Sequence, residues 1–278
     1  IPILAFCEKH PLDVEQRLRL FIDCCQAIHH AHQKGIIHRD IKPSNVLVTI
    51  NDGEAVVKVI DFGVAKATQG SLTDATLFTQ FHQMIGTPAY MSPEQAEMTS
   101  LDIDTRSDIY SLGVLLYELI TGGTPIDSAS LARAGLDEIR RVIREVTPAR
   151  PSARVKTMSA EELTTTAKRR RTDGAKLTTS LRGDLDWIVM MCLEKDRKRR
   201  YESANALALD LERYLGHGIV TARPPTASYL MGRIVRRHRV AFAATLAVLV
   251  TLAASVATTV WMAIRAADEA FGMPRKAV

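Results

Sequence analysis

The chain has 278 residues, 46% hydrophobic and 24% charged; this is enough apolar material for a sizeable core and excludes wholesale disorder. The four cysteines, Cys7, Cys24, Cys25 and Cys192, form no C-x-x-C pair, which excludes a zinc ribbon, a dithiol redox motif and a disulfide scaffold and fits a reducing compartment. The net charge of +5 hides a segregation: residues 1–139 hold 10 Lys and Arg against 18 Asp and Glu, residues 140–200 hold 17 against 8, and the remainder 9 against 5, so the acidic and basic parts serve different ends.

The chain opens Ile1-Pro2-Ile3, with neither Met nor a charged-then-apolar leader, and is expected to be a truncation. Over 13–34, Leu18, Phe21, Ile22, Cys25 and Ile28 recur at three- and four-residue steps and predict a helix. Asp13 and Gln16 form a capping-box pattern at its start, and Gly35 supplies the stop. Two β-rich runs, 45–50 and 56–60, flank the turn signal Asn51-Asp52-Gly53. Residues 62–95 lack periodicity and read as one long loop. A strongly apolar stretch from Asp108 to the Gly122-Gly123 stop predicts a buried helix. Further helices are expected at 130–146, 184–194 and 203–215. Between them, 147–180 is rich in Thr, Ser, Arg and Lys, includes Lys168-Arg169-Arg170-Arg171, and reads as a solvated, mobile insertion. No repeat of 20–50 residues is visible.

Residues 240–264 contain no charge. As a helix they span about 37 Å at ~1.5 Å per residue, enough for a hydrocarbon core of ~30 Å. A soluble helix of this length needs a polar face, and here only Thr and Ser are available. Trp261 suits an interfacial anchor. Arg233, Arg236, Arg237 and Arg239 precede the run, whereas Arg265 alone follows closely, with Asp268 and Glu269 beyond. This asymmetry predicts a single membrane pass with the N-terminal side cytoplasmic, the arginines contacting anionic headgroups and the C-terminus outside.

The chemistry-bearing residues come in three ordered groups. The first is His38-Arg39-Asp40-Ile41-Lys42-Pro43-Ser44-Asn45. The second, sixteen residues after Asn45, is Asp61-Phe62-Gly63. The third is Gly86-Thr87-Pro88-Ala89-Tyr90-Met91-Ser92-Pro93-Glu94. Any one of these carboxylates alone would be a turn residue. In this order and at these internal spacings they resemble the eukaryotic-type protein kinase family, most closely its bacterial membrane-anchored Ser/Thr members. The resemblance runs from about residue 4 to 216.

That resemblance implies a mainly α fold. It would be the large, C-terminal lobe of the protein-kinase fold, with short β-hairpins around the catalytic loop and a single transmembrane helix after it. The implied layout is a truncated kinase domain over 1–216 with a basic insertion at about 147–180, a basic juxtamembrane linker over 217–239, the transmembrane helix over 240–264, and the start of an extracytoplasmic region over 265–278. Phosphoryl transfer needs a positioned nucleophile and neutralised phosphate charge. Asp40 falls where the family keeps the carboxylate that accepts or orients the substrate hydroxyl proton. Lys42 would face the transferring phosphoryl group as a compact positive charge and marks the Ser/Thr-specific branch. Asn45 and Asp61 would offer hard oxygen ligands to Mg²⁺ on ATP, and Leu47 would lie beneath the adenine. Thr87, in the substrate-positioning loop, would bond Asp40 and Lys42. Glu94 would pair with Arg200, and Asp108 would hold the catalytic-loop backbone. His38 and Phe62 would stack in a hydrophobic spine, with Gly63 completing the metal motif. Arg39 points to control by a phosphorylated activation loop, with Thr68, Ser71, Thr73, Thr76 and Thr79 as candidates.

The family's smaller lobe carries a Gly-rich phosphate loop, a strand Lys and a helix Glu, and none of these motifs is found. Ile1 to Phe6 is expected to be the exit from the hinge between lobes. Two functions follow. One is a Ser/Thr protein kinase using ATP and Mg²⁺ on protein substrates, with dimerisation for autophosphorylation, of which this fragment alone would be inactive. The alternative is a pseudokinase or membrane-anchored binding module. Nucleic acid is not expected as a partner, since the basic run has no aromatic interleaving.

Overall fold

The structure is a computed structural model, and it describes residues 1–62, 88–97, 103–226, 229 and 239–271. Two compact units divide it, residues 1–224 and 225–278.

The first unit is mainly helical. Helix α1 is Ile3–Lys9 and begins within the stretch expected to be the hinge exit. Helix α2, Val14–Gln33, starts on the reciprocal Asp13–Gln16 capping box, with Gln16 N–H donating to Asp13 Oδ1 at 2.8 Å. Gly35 follows it at φ +73°, a left-handed stop that a Cβ would strain. Strands β1 (Val46–Asn51) and β2 (Glu54–Val59) form an antiparallel hairpin in which Val46 faces Val59 and Asn51 faces Glu54. Asp52 and Gly53 make its two-residue turn, both at positive φ, as the type I′ geometry requires. Ile1 and Val48 exchange backbone hydrogen bonds, so the first residues pair against the open edge of β1.

The expected loop over 62–95 contains ordered structure where it is described. A 3-10 turn at Pro88–Tyr90 is followed by the short helix α3, Pro93–Ala96, capped by Ser92. Helix α4, Thr105–Thr121, is the centre of the fold. Ile109, Leu112, Val114, Leu115, Leu116, Leu119 and Ile120 on it are fully buried, which is why its sequence is apolar on every face. It ends at Gly122, φ +94°. Midway, Gly113 lies so close to helix α10 (Asp184–Cys192) that a Cβ there would sit 2.4 Å from Cys192 Cβ.

The single helix expected at 130–146 is two, α5 (Ser128–Arg133) and α6 (Leu136–Glu145), interrupted at Gly135, which serves as the N-cap of α6. The stretch over 147–180, expected to be a solvated, mobile insertion, is helical. It folds into α7 (Pro151–Lys156), α8 (Ala160–Lys168) and α9 (Gly174–Leu181), and buries Val155, Ala167, Leu177 and Leu181. Ser152 donates its N–H and its hydroxyl to the two oxygens of buried Asp186, fixing α7 to α10.

The basic run itself reaches the core. Arg170 is 3% exposed; its Nη2 donates to the Leu119 carbonyl at 2.9 Å and its Nη1 to Thr166 O at 3.0 Å. Arg17, equally buried, donates to Leu119 O, Cys7 O and Arg169 O. Two guanidiniums thus cap the carbonyl end of α4, where the helix dipole favours cations. Burial, and then repulsion from Arg17, pull the pKa of Arg170 down to about 9, which still leaves it charged at neutral pH.

Helix α11, Ala204–Leu215, packs against α2. The unit continues past Gly216: Thr221 and Ala222 donate their amides to buried Asp210 on α11, at 2.6 and 3.0 Å. The first residues of the expected juxtamembrane linker therefore belong to this unit. All four cysteines lie buried and unbridged within it.

In the second unit, helix α12 runs over Arg239–Phe271. Its segment Ala247–Ala267 has a mean hydropathy of 2.0 and is long and apolar enough to cross a membrane.

Candidate active site

The loop after α2 is held by one carboxylate. Asp108, in the first turn of α4 and 1% exposed, accepts the amide of His38 on Oδ2 and that of Arg39 on Oδ1, each at 2.8 Å. His32 of α2 adds Nε2 to Oδ2 at 2.8 Å. Three donors and the N-terminal end of the helix dipole offset the cost of burying this acid.

Strain sits in this loop and in the segment after β2. Arg39 lies at φ +65° and Asp61 at +57°, the left-handed region that costs a non-glycine residue roughly 1–3 kcal/mol. At Arg39 the peptide is fixed on both sides: its N–H goes to Asp108, and its carbonyl accepts Gln95 Nε2 at 2.7 Å.

His38 joins the two motif segments. Its Nε2 meets the Ile60 carbonyl at 3.0 Å and so must donate there, leaving Nδ1 to accept the Asp40 amide at 3.3 Å. Its ring packs on Phe62 with centroids 4.7 Å apart. Asp40 Oδ2 receives Lys42 Nζ at 2.8 Å. Asn45 is buried, and its Nδ2 donates to the Asp40 carbonyl at 2.9 Å and to Asp40 Oδ2 at 3.3 Å. With its amide nitrogen so committed, Asn45 Oδ1 meets only the Ser44 hydroxyl at 3.2 Å among the described residues. The Ile60 amide donates to the Asn45 carbonyl at 2.9 Å, which places exposed Asp61 one residue past the partner of Asn45. Asp40, Lys42, Asn45 and Asp61 thus gather at the base of the β1–β2 hairpin. Leu47, half-buried in β1, bridges to Pro2 and faces Lys58 across the hairpin.

Glu94 and Arg200 meet side by side, Nη1 to Oε1 at 2.7 Å and Nη2 to Oε2 at 2.9 Å. Ser107 Oγ also donates to Glu94 Oε1 at 2.6 Å. Arg200 spends its other donors on the carbonyls of Glu194, Lys195 and Arg106, so all five are used. Burial alone would push the Glu94 carboxyl up; the hydrogen bonds and charge of Arg200, with the Ser107 bond, outweigh it and hold the carboxyl below its ordinary range. Tyr90 donates its hydroxyl to Glu118, tying the 3-10 turn to α4.

Thr87, Gly63, Thr68, Ser71, Thr73, Thr76 and Thr79 lie outside the described residues. Three residues of the site went unnoticed in the sequence: His32, Gln95 and Ser107. For Gln95 a signal existed, since Ser92-Pro93-Glu94-Gln95 is a capping-box pattern with Pro at the first helical position. His32 and Ser107 act through partners far along the chain and left no local mark.

The chain is 35% identical over 217 residues to the serine/threonine-protein kinase PknB of Mycobacterium leprae, a match covering 78% of this chain and 28% of that protein. It is 32% identical over 206 residues to a probable serine/threonine-protein kinase of Clostridium perfringens, covering 74% and 24%. The chain therefore spans about a quarter of the length of these curated relatives. The crystal structure of the Mycobacterium tuberculosis PknI kinase domain aligns with 77% of this chain and 61% of that one, at 21% identity and a TM-score of 0.47. The protein kinase domain matches residues 5–211, three quarters of the sequence and every segment of the site described above, and the chain belongs to the protein kinase family.

Proposed function

We propose that this chain carries the catalytic-loop half of a membrane-anchored serine/threonine protein kinase, which moves the γ-phosphoryl group of ATP to a Ser or Thr hydroxyl of a protein. The observation that carries the reading is the fixed triplet of Asp40, Lys42 and Asn45, set on a loop whose backbone Asp108 holds. Asp40 accepts the proton of the attacking hydroxyl. Lys42, at 2.8 Å from Asp40, keeps that carboxylate oriented and places a positive charge where phosphate oxygens gather. Asn45 Oδ1 and the Asp61 carboxylate are hard oxygen donors of the kind Mg²⁺ takes, and an ion that also binds phosphate needs only one or two protein carboxylates. Bound Mg²⁺ would neutralise charge on the phosphates. Thr87 is proposed to position the substrate hydroxyl, Leu47 to meet the adenine, and Glu94 with Arg200 to anchor the substrate segment.

No Gly-rich phosphate loop occurs among the 278 residues and no V-A-I-K pattern precedes His38, so the phosphate cradle is proposed to come from sequence outside them, and these residues alone are proposed to be inactive. The apolar helix, with its arginine-rich N-terminal flank, supports a single membrane pass with the kinase unit on the cytoplasmic side. The deciding experiment is phosphorylation of Ser/Thr proteins by the product of the natural gene with Mg·ATP. Asp40→Asn is expected to lower kcat by orders of magnitude with the fold intact, as loss of a positioned base does. Equal rates in Asp40→Asn and wild type would refute the assignment, and no transfer by the wild type would leave the chain a pseudokinase.

A further inference from the structure

Glu94 and Gln95 are chain neighbours that reach in different directions. Glu94 turns to Arg200, whereas Gln95 reaches 56 residues back to the strained peptide before Asp40. We infer that Gln95 is a positioning residue: it fixes the peptide plane between Arg39 and Asp40, and so couples the substrate segment to the aim of the Asp40 carboxylate. The inference rests on the kinase reading of Asp40.

The argument is geometric. A peptide plane carries the carbonyl of one residue and the N–H of the next. The plane whose carbonyl Gln95 holds at 2.7 Å is the one whose N–H belongs to Asp40. Asp108 grips the preceding plane through the Arg39 amide. With Arg39 at φ +65°, relaxation toward an ordinary conformation would rotate these planes and swing Asp40 away from Lys42 and Asn45. Asp108 stops one side of that rotation and Gln95 the other.

Gln95 is also uniquely suited by its chemistry. Its Oε1 accepts the Ser92 amide at 3.0 Å as the capping-box acceptor, and its Nε2 remains for Arg39 O. A glutamate serves a capping box equally well, but it would turn a second acceptor toward the Arg39 carbonyl. An amide meets both demands at once. Gln95→Glu therefore keeps the cap and removes only the coupling.

The test is hydrogen exchange of the full chain, followed at the Arg39 and Asp40 amides. At neutral pH Gln95→Glu should speed their exchange about tenfold, the equivalent of one net hydrogen bond, while α3 stays protected. Below pH ~4 the introduced carboxyl gains a proton, becomes a donor, and protection relative to wild type at the same pH should return. Gln95→Met, which carries no charge, should loosen the loop at every pH. Ser92→Ala breaks the cap but leaves the Arg39 bond, and loop exchange should stay as in wild type. Unchanged loop exchange in Gln95→Glu, or equal loosening by Ser92→Ala, overturns the inference. In the natural gene product, Gln95→Glu should lower kcat with the peptide KM unchanged. If the wild type transfers no phosphate while loop exchange still follows Gln95, the positioning role stands and the kinase reading falls.

Discussion

Arg200 closes a loop of 106 residues onto Glu94, with two parallel hydrogen bonds of 2.7 and 2.9 Å in a buried site. Taking both charges out of water consumes much of their attraction, so the pair fixes geometry more than it adds stability. Removing one partner is a different matter, because it strands the other. Arg200→Met should destabilise the chain by about 3–5 kcal/mol, measured by urea unfolding. The pair also gives a signed pH dependence. The folded carboxyl of Glu94 titrates below its ordinary value, so its contribution is complete above about pH 4.3, the unfolded value, and is lost as pH falls through the lower folded one. The stability gap between wild type and Glu94→Gln should therefore narrow on acidification below pH ~4.

Neighbours in the basic run should behave oppositely. Arg169 makes an exposed ion pair with Glu8, so Arg169→Ala should change stability by less than about 1 kcal/mol. Arg170 is buried against the carbonyls of Leu119 and Thr166. Arg170→Ala should cost about 2–4 kcal/mol through the cavity and the lost hydrogen bonds, although the Leu119 carbonyl keeps its bond from Arg17. Denaturant midpoints of the two variants check this; equal midpoints would place both guanidiniums in solvent.

Gly113 is set by contact rather than by conformation. A methyl group there meets Cys192 Cβ at 2.4 Å, and two packed helices must separate to admit it. Gly113→Ala should lose about 1–3 kcal/mol, in the range of core overpacking, despite the better helix propensity of Ala. Gly123, with open space around it, is the control, and Gly123→Ala should leave the thermal midpoint nearly unchanged.

For the apolar helix, a reporter active only outside the cytoplasm should give signal when fused after Val278 and none when fused before Arg233. Release of the protein from membranes by salt alone would show surface attachment instead of insertion.

Local patterns were readable in the sequence wherever cause and effect are near in the chain. Asp13 and Gln16 mark the start of α2, and Asp52-Gly53 marks the hairpin. The strands nevertheless sit one or two residues off the expected runs, because the turn uses two residues and leaves Asn51 to pair with Glu54. Gly135 divides α5 from α6, a break hidden by the continuous apolar spacing on either side. The basic insertion misled because its helices are too short for a period to show, and because Arg170 spends its charge on carbonyls of a distant helix. Within the site, Asp40, Lys42 and Asn45 were visible because they act on one another across five residues. Gln95 and His32 were not, since their partners lie 56 and 76 residues away.

The buried cysteines give the chain an internal reporter. Desolvation lifts the Cys24 thiol to about 12 and pushes Cys25 and Cys192 upward as well, and only the thiolate attacks an alkylating reagent. In the folded chain these sulfurs are both inaccessible and protonated, so a reagent modifies them only in molecules that have opened. Cys24 and Cys25 sit on α2 and Cys192 on α10, so mass spectrometry of alkylated peptides would time the opening of these helices separately. Simultaneous labelling would identify one cooperative unit, and staggered labelling would rank the parts by lability, with no engineered probe in the protein.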